Sequence, residues 1–298
     1  MNHRAPPRPP RPTLPSGERD AARRSDVSSV SPPRYGLARV LSKRGLCSRT
    51  QAAAWIREGR VRVGGRVVRD AEYPVALDRD DIVLDDGRAD AHARLYLMLN
   101  KPKGLVVTAR DERGRDTVYR CFDGAELDGA PLPWLAPVGR LDKASEGLLL
   151  FTNDPMWAAT IADPQTGPIK TYHVQIDRVP DEAMLASLRA GAEVEIDGRR
   201  LRISAVSVRL LRHGEKRAWL EIALDEGRNR QIRRLLAAFD IGVLRLMRVA
   251  IGSLELGDLP KGCWRRLDAE AVRALASSKP SAERLDCVNR ARSGVDAS

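Results

Sequence analysis

Cysteine and histidine are both scarce in this sequence, with four residues of each among 298. The cysteines lie far apart and form no C-x-x-C pair: Cys47, Cys121, Cys263 and Cys287. The histidines are equally scattered: His3, His92, His173 and His213. The sequence therefore predicts neither a zinc site nor a disulfide framework. We expect reduced thiols, no metal and no cofactor.

Long apolar runs are also absent. No stretch approaches the roughly 20 apolar residues that span a bilayer, and the N-terminus lacks the apolar core of about 7 to 15 residues of a secretory signal. Eight prolines and three acidic residues in the first 34 oppose the amphipathic helix of a transit peptide. We therefore expect a cytoplasmic protein without a membrane segment.

Positive charge is concentrated near the start of the chain. Of a formal net charge of +11, residues 1–34 carry an excess of +4 and residues 35–70 an excess of +7, whereas residues 71–276 stand at −1. Neutralising phosphates supplies most of the sequence-independent affinity for nucleic acid, so this basic block indicates a module that binds RNA or DNA. A solvated basic surface is the alternative.

The two ends of the chain are poor in apolar residues. The start, MNHRAPPRPPRPTLP, is rich in Pro and Arg and cannot offset the entropy of ordering. We predict a disordered basic arm over residues 1–33 and a disordered tail over residues 277–298. Two folded domains, 34–92 and 93–276, are expected between them.

Residues 35–87 have the pattern of a small domain. Apolar residues at helical spacing indicate a first helix, and Ser48 with Gln51 three residues later forms a capping-box signature for a second helix. Gly59 is placed to end that helix. The pair Gly64 and Gly65 between alternating valines predicts a hairpin turn. Two short helices and a small sheet are therefore expected.

The same segment resembles a known RNA-binding module. Its sequence, YGLARVLSKRGLCSRTQAAAWIREGRVRVGGRVV, is similar to the module of ribosomal protein S four, which also occurs in some tRNA synthetases and RNA-modifying enzymes. The resemblance implies that five side chains face RNA: Arg39, Lys43, Arg44, Ser48 and Arg49. A helix N-terminus flanked by cations suits phosphate binding. The alternative is a helical pair whose cations are merely solvated.

From Arg94 the pattern changes to longer strands. Seven segments are apolar or alternating, which is typical of strands: LYLMLN, GLVVTA, GLLLFTN, KTYHVQI, RLRISAVSVRLL, AWLEIAL and VLRLMRVAIG. Helical spacing appears in PMWAATIA, DEAMLASLRAG and RQIRRLLAAF. The expected fold class is α+β, with a small α/β RNA-binding domain followed by a domain built on a largely antiparallel mixed sheet.

Three separated segments carry side chains suited to chemistry. Asp142 lies in GRLDKASEGLLLFTND, ahead of a buried-strand pattern. In KTYHV, alternation puts Lys170 and Tyr172 on one face of a strand. EGRNRQIRRLLAAF places four cations near a helix N-terminus, where they oppose the helix dipole: Arg228, Arg230, Arg233 and Arg234. Taken singly, each has an ordinary explanation as a turn residue, a packed ring or a solvated face.

Together and in this order, the segments resemble the pseudouridine synthase family, in particular its RsuA-type group, which pairs a module like that of ribosomal protein S four with a catalytic domain. The resemblance spans residues 36–270 and includes LMLNKPKG and LRLMRVAIGSLELGDLPKGCWRRL. It implies an enzyme that converts uridine to pseudouridine in RNA and needs neither cofactor nor metal.

The resemblance also implies the roles of individual residues. Asp142 would be the catalytic aspartate, Tyr172 would stack against the target base, and Arg233 would be the basic partner that keeps the aspartate charged. Three further residues are expected to bind substrate: Arg140, Ile232 and Lys170. An ionised carboxylate can attack ribose C1′ or abstract a ribose proton, and the sequence leaves both open.

Three positions depart from the family pattern. Ser145 stands where Thr is common, Pro155 replaces a Gly after TND, and Asp240 lies where a Gly is typical. The change at Ser145 keeps the hydroxyl group, whereas Pro155 and Asp240 put local loop geometry in doubt and bear on which RNA site is recognised.

Two points remain open between alternatives. The first is function: a non-catalytic ribosome assembly factor is the main rival, which the complete set of Asp142, Tyr172 and Arg233 opposes. A tRNA synthetase would need a nucleotide-binding signature that the sequence lacks. The second is the target: we expect 23S rRNA, free or in ribosome assembly intermediates, with 16S rRNA or tRNA as alternatives. A monomer is expected.

Overall fold

The structure is a computed structural model that describes residues 33–77, 79–85, 87–88, 93–109, 111–196 and 198–277. The expected basic arm and C-terminal tail lie outside these residues, except for Pro33 and Ser277. None of the helices in the described ranges is both long and apolar enough to cross a membrane.

The N-terminal part combines two helices with short strands. Its elements are β1 (Arg34–Gly36), α1 (Leu37–Lys43), α2 (Arg49–Glu58), β2 (Val61–Val63), β3 (Arg66–Val67), β4 (Pro74–Ala76), β5 (Ile82–Leu84) and β6 (Gly87–Arg88). Strands β3, β2, β5 and β6 form one small sheet, and β1 pairs with β4. Buried side chains of both helices and of β2, β4 and β5 share one hydrophobic core.

The local signals in this part act as the sequence predicts. Ser48 Oγ accepts a hydrogen bond from Gln51 N at 3.1 Å at the start of α2. Gly59 ends α2 in the left-handed conformation, with φ 82°. Gly64 and Gly65 form the turn between β2 and β3. The cap, the helix end and the hairpin turn are therefore confirmed.

The remainder of the described chain is richer in strands. Its strands are β7 (Tyr96–Lys101), β8 (Glu126–Leu127), β9 (Ala130–Pro131), β10 (Ala136–Val138), β11 (Glu146–Thr152), β12 (Lys170–Ile176), β13 (Ala192–Ile196), β14 (Arg199–Ile203), β15 (Ser207–His213), β16 (Ala218–Leu224), β17 (Val243–Ile251), β18 (Leu254–Glu255) and β19 (Trp264–Arg266). Its helices are a 3-10 helix (Val118–Phe122), α3 (Pro155–Ala162), α4 (Glu182–Ala190), α5 (Gln231–Ala237) and α6 (Ala269–Ala276).

A nine-stranded sheet dominates this part. The strand order is β15-β16-β12-β17-β11-β7-β19, with β10 added on β11 and β18 on β17. Strands β11 and β17 pair in parallel, and the other pairings of this sheet are antiparallel. The predicted α+β class with a largely antiparallel mixed sheet is confirmed.

Both faces of the sheet are covered. On β11, Leu149 and Phe151 join the core that contains buried residues of α4 and α5, whereas Leu148 and Leu150 join the core that contains buried residues of α3 and α6. Successive side chains of a strand point to opposite faces, so a strand covered on both sides is apolar throughout. This explains the unbroken run GLLLF in the sequence.

Two strand predictions were wrong. GLVVTA forms a loop in which Val106 makes an isolated bridge to Thr117, because its apolar side chains are used to pack the loop onto the core. RLRISAVSVRLL is divided between β14 and β15, because β14 pairs with β13 in a separate hairpin while β15 pairs with β16 at the edge of the large sheet. Apolar periodicity records burial and does not distinguish these cases.

Candidate active site

A cleft of about 960 Å³ lies where β12 and β17 meet the loop that precedes β11 and the turn that precedes α5. Five of the six residues that the sequence singled out for catalysis or substrate binding line it: Arg140, Asp142, Lys170, Tyr172 and Ile232. They come from three segments far apart in the chain. Arg233 does not line the cleft.

Asp142 lies on the loop between β10 and β11. Gly139 adopts φ 72° at its start, and Asp142 O accepts a hydrogen bond from Ser145 N at 3.0 Å, so the loop turns tightly into β11. Leu141 is buried beside Asp142, whose own side chain is 35% exposed. The carboxylate is therefore held at the cleft wall and remains accessible from it.

Lys101 supports this loop from inside the protein, and the sequence analysis did not assign it a role. It is fully buried at the end of β7, and its Nζ donates to the carbonyl oxygens of Ser145 at 2.9 Å and Pro102 at 3.0 Å. Burial lowers the pKa of Lys101 to about 8. The signal for this residue was present in LNKPKG, where a lysine directly follows an apolar strand.

Tyr172 occupies β12, in the middle of the cleft floor. Lys170, Tyr172 and Val174 are buried on one face, whereas Thr171 and His173 are partly exposed on the other. The alternation predicted for this strand is confirmed. A ring fixed in a strand offers a base a rigid stacking surface, since only two side-chain torsions must be held.

The cation in contact with Asp142 differs from the expected one. In the part of the chain that the structure describes, Arg230 Nη1 lies 3.9 Å from Asp142 Oδ2, and Arg233 makes no ion pair with this carboxylate. Arg230 precedes α5 in the left-handed conformation, with φ 53°, whereas Arg233 belongs to the helix itself. The role of Arg233 as the basic partner of Asp142 stays a prediction.

Arg233 is half-buried outside the cleft lining and has an incomplete set of hydrogen bonds. Its Nη1 donates to Val243 O at 3.5 Å, and its Nε is buried and has no hydrogen-bond partner in the structure. Burial and the nearby Arg230 lower the pKa of Arg233, while the charge of Asp142 acts in the opposite direction. Asp142 therefore interacts electrostatically with Arg233 at a longer range than with Arg230.

Gln231 shapes the turn that carries these arginines. It is buried, its Oε1 accepts from Arg228 N at 3.2 Å, and its Nε2 donates to Glu226 Oε1 at 3.0 Å. Arg228 also pairs with Glu226 at 2.7 Å. The next residue, Ile232, is buried and lines the cleft. Glu226 thus provides part of the acidic compensation that four cations at a helix start require.

Glu146 connects the loop of Asp142 to two residues nearer the C-terminal end of the chain. Its buried carboxylate forms ion pairs with Arg245 and with Lys261, the latter at 2.6 Å. Burial raises the pKa of Glu146, but the hydrogen bonds from these two cations outweigh it and bring the pKa below its usual value. Sequence reasoning missed this residue because its partners lie about a hundred positions away.

The five residues expected to face RNA in the N-terminal part are not equivalent. Arg39 and Arg49 are exposed, and Arg39 and Lys43 lie 5.2 Å and 4.0 Å from the ring centre of Tyr35. Ser48 caps α2. Arg44 donates to Leu77 O at 2.9 Å and to Asp80 O at 2.9 Å, so its guanidinium braces this part of the fold. That Arg44 also faces RNA stays a prediction.

Comparison with known proteins places this fold and its cleft among enzymes that act on RNA. The RNA pseudouridylate synthase family matches residues 95–238, and the S4 domain matches residues 36–82. An uncharacterized RNA pseudouridine synthase of Aquifex aeolicus is 36% identical over 233 residues, which cover 78% of this chain and 90% of that protein.

Two further relatives extend the comparison. The ribosomal large subunit pseudouridine synthase B of Bacillus subtilis is 31% identical over 241 residues, covering 80% of this chain and 94% of that protein. A crystal structure of pseudouridylate synthase is 27% identical, covers 81% of this chain and 99% of that chain, and has a TM-score of 0.55. The chain belongs to the pseudouridine synthase family, in its RsuA-type group.

Proposed function

We propose that this pseudouridine synthase modifies a specific uridine of ribosomal RNA, and that its target lies in 23S rRNA. The relatives named for the large ribosomal subunit support this target. The observation that carries the site assignment is that Asp142, Tyr172 and Ile232 line one cleft although they come from three distant segments. We further propose domains at 34–92 and 93–276 and a monomer in the cytoplasm.

In the proposed reaction Asp142 works on the ribose of a uridine that has left its helix. The bond between uracil N1 and ribose C1′ breaks, the base turns, C5 bonds to C1′, and the proton of C5 is lost while N1 gains one. Asp142 either attacks C1′ or abstracts a ribose proton. No atoms are gained or lost overall, so the reaction needs no co-substrate.

The surrounding residues have separate proposed roles. Tyr172 stacks on the extruded base and Ile232 packs against its other side. Arg140 holds the nucleotide or fills the gap that it leaves. Arg230 contacts Asp142 in the free protein, and the half-buried Arg233 adds a second positive charge near the carboxylate. A nearby guanidinium keeps a carboxylate charged in a closing site.

The first test uses tritium at C5 of uridine, because the reaction releases that atom to water. We expect purified protein to release tritium from labelled rRNA, and Asp142→Asn to release none while still binding the RNA. The substitution removes the charge and keeps the shape. Asn153 lies outside the cleft but is buried, so Asn153→Asp would disturb the fold and is unsuitable as a control. Lys216 is exposed in the hairpin between β15 and β16, and Lys216→Met is therefore the control. Release by Asp142→Asn at the wild-type rate would contradict the assignment.

The target is tested separately by mapping pseudouridines in rRNA and tRNA from a strain without the gene. We expect one pseudouridine of 23S rRNA to be absent and to return with the wild-type gene, but not with Asp142→Asn. Loss of a site in 16S rRNA or tRNA instead would keep the enzyme class and replace the target.

A further inference from the structure

Two buried cations from neighbouring strands line the cleft. Lys170 precedes Tyr172 by two positions on β12 and shares its face, and Arg248 of β17 is directly opposite Tyr172 in the strand register. Both line the cleft, with exposed fractions of only 9% for Lys170 and 5% for Arg248. Arg248 was not singled out by the sequence.

Neither cation has an acidic partner within ion-pair distance among the described residues. Arg248 Nε donates to Leu148 O at 2.7 Å, but its Nη2 is buried without a hydrogen-bond partner. Lys170 Nζ makes no hydrogen bond to the described part of the chain. Burial and the charge of Arg248 lower the pKa of Lys170, and Asp225 and Asp163 oppose this only from a distance.

Such an arrangement is unfavourable in the free protein. Burying charged groups costs free energy unless they are paired, and two like charges in one pocket add repulsion. Departures of this kind from the rules of stability concentrate at binding sites, where a ligand completes the pairing. A neutral uracil can accept hydrogen bonds but brings no charge. A phosphodiester brings a full negative charge, and RNA carries one at each nucleotide.

We propose that Lys170 and Arg248 form a phosphate subsite that binds a backbone phosphodiester adjacent to the uridine stacked on Tyr172. This inference rests on the proposed function, because it assumes that RNA enters this cleft. Lys170 supplies a compact point charge, and Arg248 adds a charge held in place by its bond to Leu148 O. The subsite holds the extruded nucleotide by its backbone, on the same strands that position the aromatic ring.

The test compares uridine with uridine 3′,5′-bisphosphate as ligands of the full-length protein, measured by calorimetry at low salt. We expect wild type to bind the bisphosphate about tenfold or more tightly than uridine, in the range of charge-assisted hydrogen bonds. Lys170→Met should lose most of that preference. Arg248→Gln should reduce the preference while its amide can still reach Leu148 O.

Two controls separate this subsite from general charge effects. Lys216→Met removes a lysine from the exposed hairpin between β15 and β16 and should keep the full preference. Lys170→Arg retains the charge and should restore most of the preference that Lys170→Met loses. Inorganic phosphate alone should compete weakly. Competition as strong as that of the bisphosphate would overturn the assignment to an RNA backbone.

Thermal melting distinguishes a binding role from a structural one. We expect Lys170→Met to melt at the same or a higher temperature than wild type, because it removes a buried charge without a close partner. A lower melting temperature together with an unchanged bisphosphate preference would overturn the proposal and assign Lys170 to the fold.

The outcomes also separate this inference from the proposed function. Nucleotide binding needs no turnover, whereas tritium release reports the reaction itself. If wild type releases tritium and Lys170→Met keeps the full preference, the subsite is wrong and the reaction stands. If Lys170→Met loses the preference but wild type releases no tritium from any rRNA, the subsite stands and the proposed reaction is wrong.

Discussion

At the scale of single residues, Asp142 depends on a lysine that never reaches the cleft. The amine of Lys101 is bonded to the carbonyl oxygens of the loop that carries Asp142, so the loop cannot move without exposing a buried charge. Glu146 holds the other end of that loop through Arg245 and Lys261. A catalytic group is useful only within about 0.5 Å of its productive position, which is what such supports maintain.

Substitution of Tyr172 tests the stacking role. We expect Tyr172→Leu to reduce kcat/KM by about 5- to 150-fold, corresponding to the roughly 1 to 3 kcal/mol of one stacked base. Tyr172→Phe should stay within a few fold of wild type because the ring remains. Melting curves of both variants check that the strand is intact. Equal losses in Leu and Phe variants would show that the hydroxyl group, and not the ring, is what matters.

A pair of methionine variants distinguishes the role of Arg230 from that of Arg233. Arg230 is exposed, so its contact with Asp142 is screened and should contribute about 1 kcal/mol or less, roughly a fivefold loss that shrinks at high salt. Arg233 is half-buried with a buried Nε, so its charge is screened less, and Arg233→Met should reduce the single-turnover rate more than Arg230→Met and with a weaker dependence on salt. The reverse order of effects would assign the catalytic pairing to Arg230.

At the scale of elements, the start of β11 shows how closely the strands approach one another. Gly147 has φ 102°, and a side chain there would collide with the backbone of Arg248 on β17. This close approach lies at the parallel pairing of β11 with β17. It brings the loop of Asp142 next to the strand that carries Arg248.

Gly147→Ala should therefore destabilise the protein by about 2 to 5 kcal/mol, combining backbone strain with a steric collision. Gly104 is a matched control, because it has nearly the same φ of 103° but nothing within 4 Å of the position of an added Cβ. Gly104→Ala should cost only about 1 to 3 kcal/mol of strain. Urea unfolding of both variants measures the difference, and equal costs would argue against the collision.

At the scale of the whole molecule, the hydrophobic cores are found in both the N-terminal part and the large-sheet part, whereas the excess positive charge is concentrated near the start of the chain. The hydrophobic core of residues 35–84 is separate from the two cores around the large sheet. Residues 1–70 hold an excess of positive charge equal to the net charge of the chain, +11. General affinity for RNA and the chemistry of one base can therefore be assigned to different parts.

Deleting residues 1–92 tests this separation. The cut leaves Ala93 O bonded to Asn153 Nδ2 at 3.0 Å, so the catalytic part should keep its fold by circular dichroism. The slope of log K against log salt for rRNA binding should fall by about 3 or more, since each phosphate contact contributes about 0.7 to 0.9. Deleting residues 278–298, whose excess is only +1, should leave the slope unchanged. Equal slopes in all three proteins would contradict the assignment.

The sequence by itself determined the local structure and the chemistry-bearing residues. Three features depend only on residues within a few positions of one another: the Ser48 cap, the Gly64-Gly65 turn and the alternation around Tyr172. Such features can be predicted from the sequence alone. The motif that contains Asp142 was equally local. Apolar runs indicated burial correctly, but they could not say whether a run such as GLVVTA pairs as a strand or packs as a loop.

Only the tertiary structure decided which distant groups meet. A register shift in the β12–β17 pairing after Thr171 places Arg248 opposite Tyr172, and a left-handed residue before α5 brings Arg230, not Arg233, to Asp142. Lys101 and Glu146 likewise support the loop of Asp142 through contacts with residues distant in the sequence. Strand register and chain reversal join residues that lie tens of positions apart, and no local pattern records them, because each depends on how the whole sheet packs.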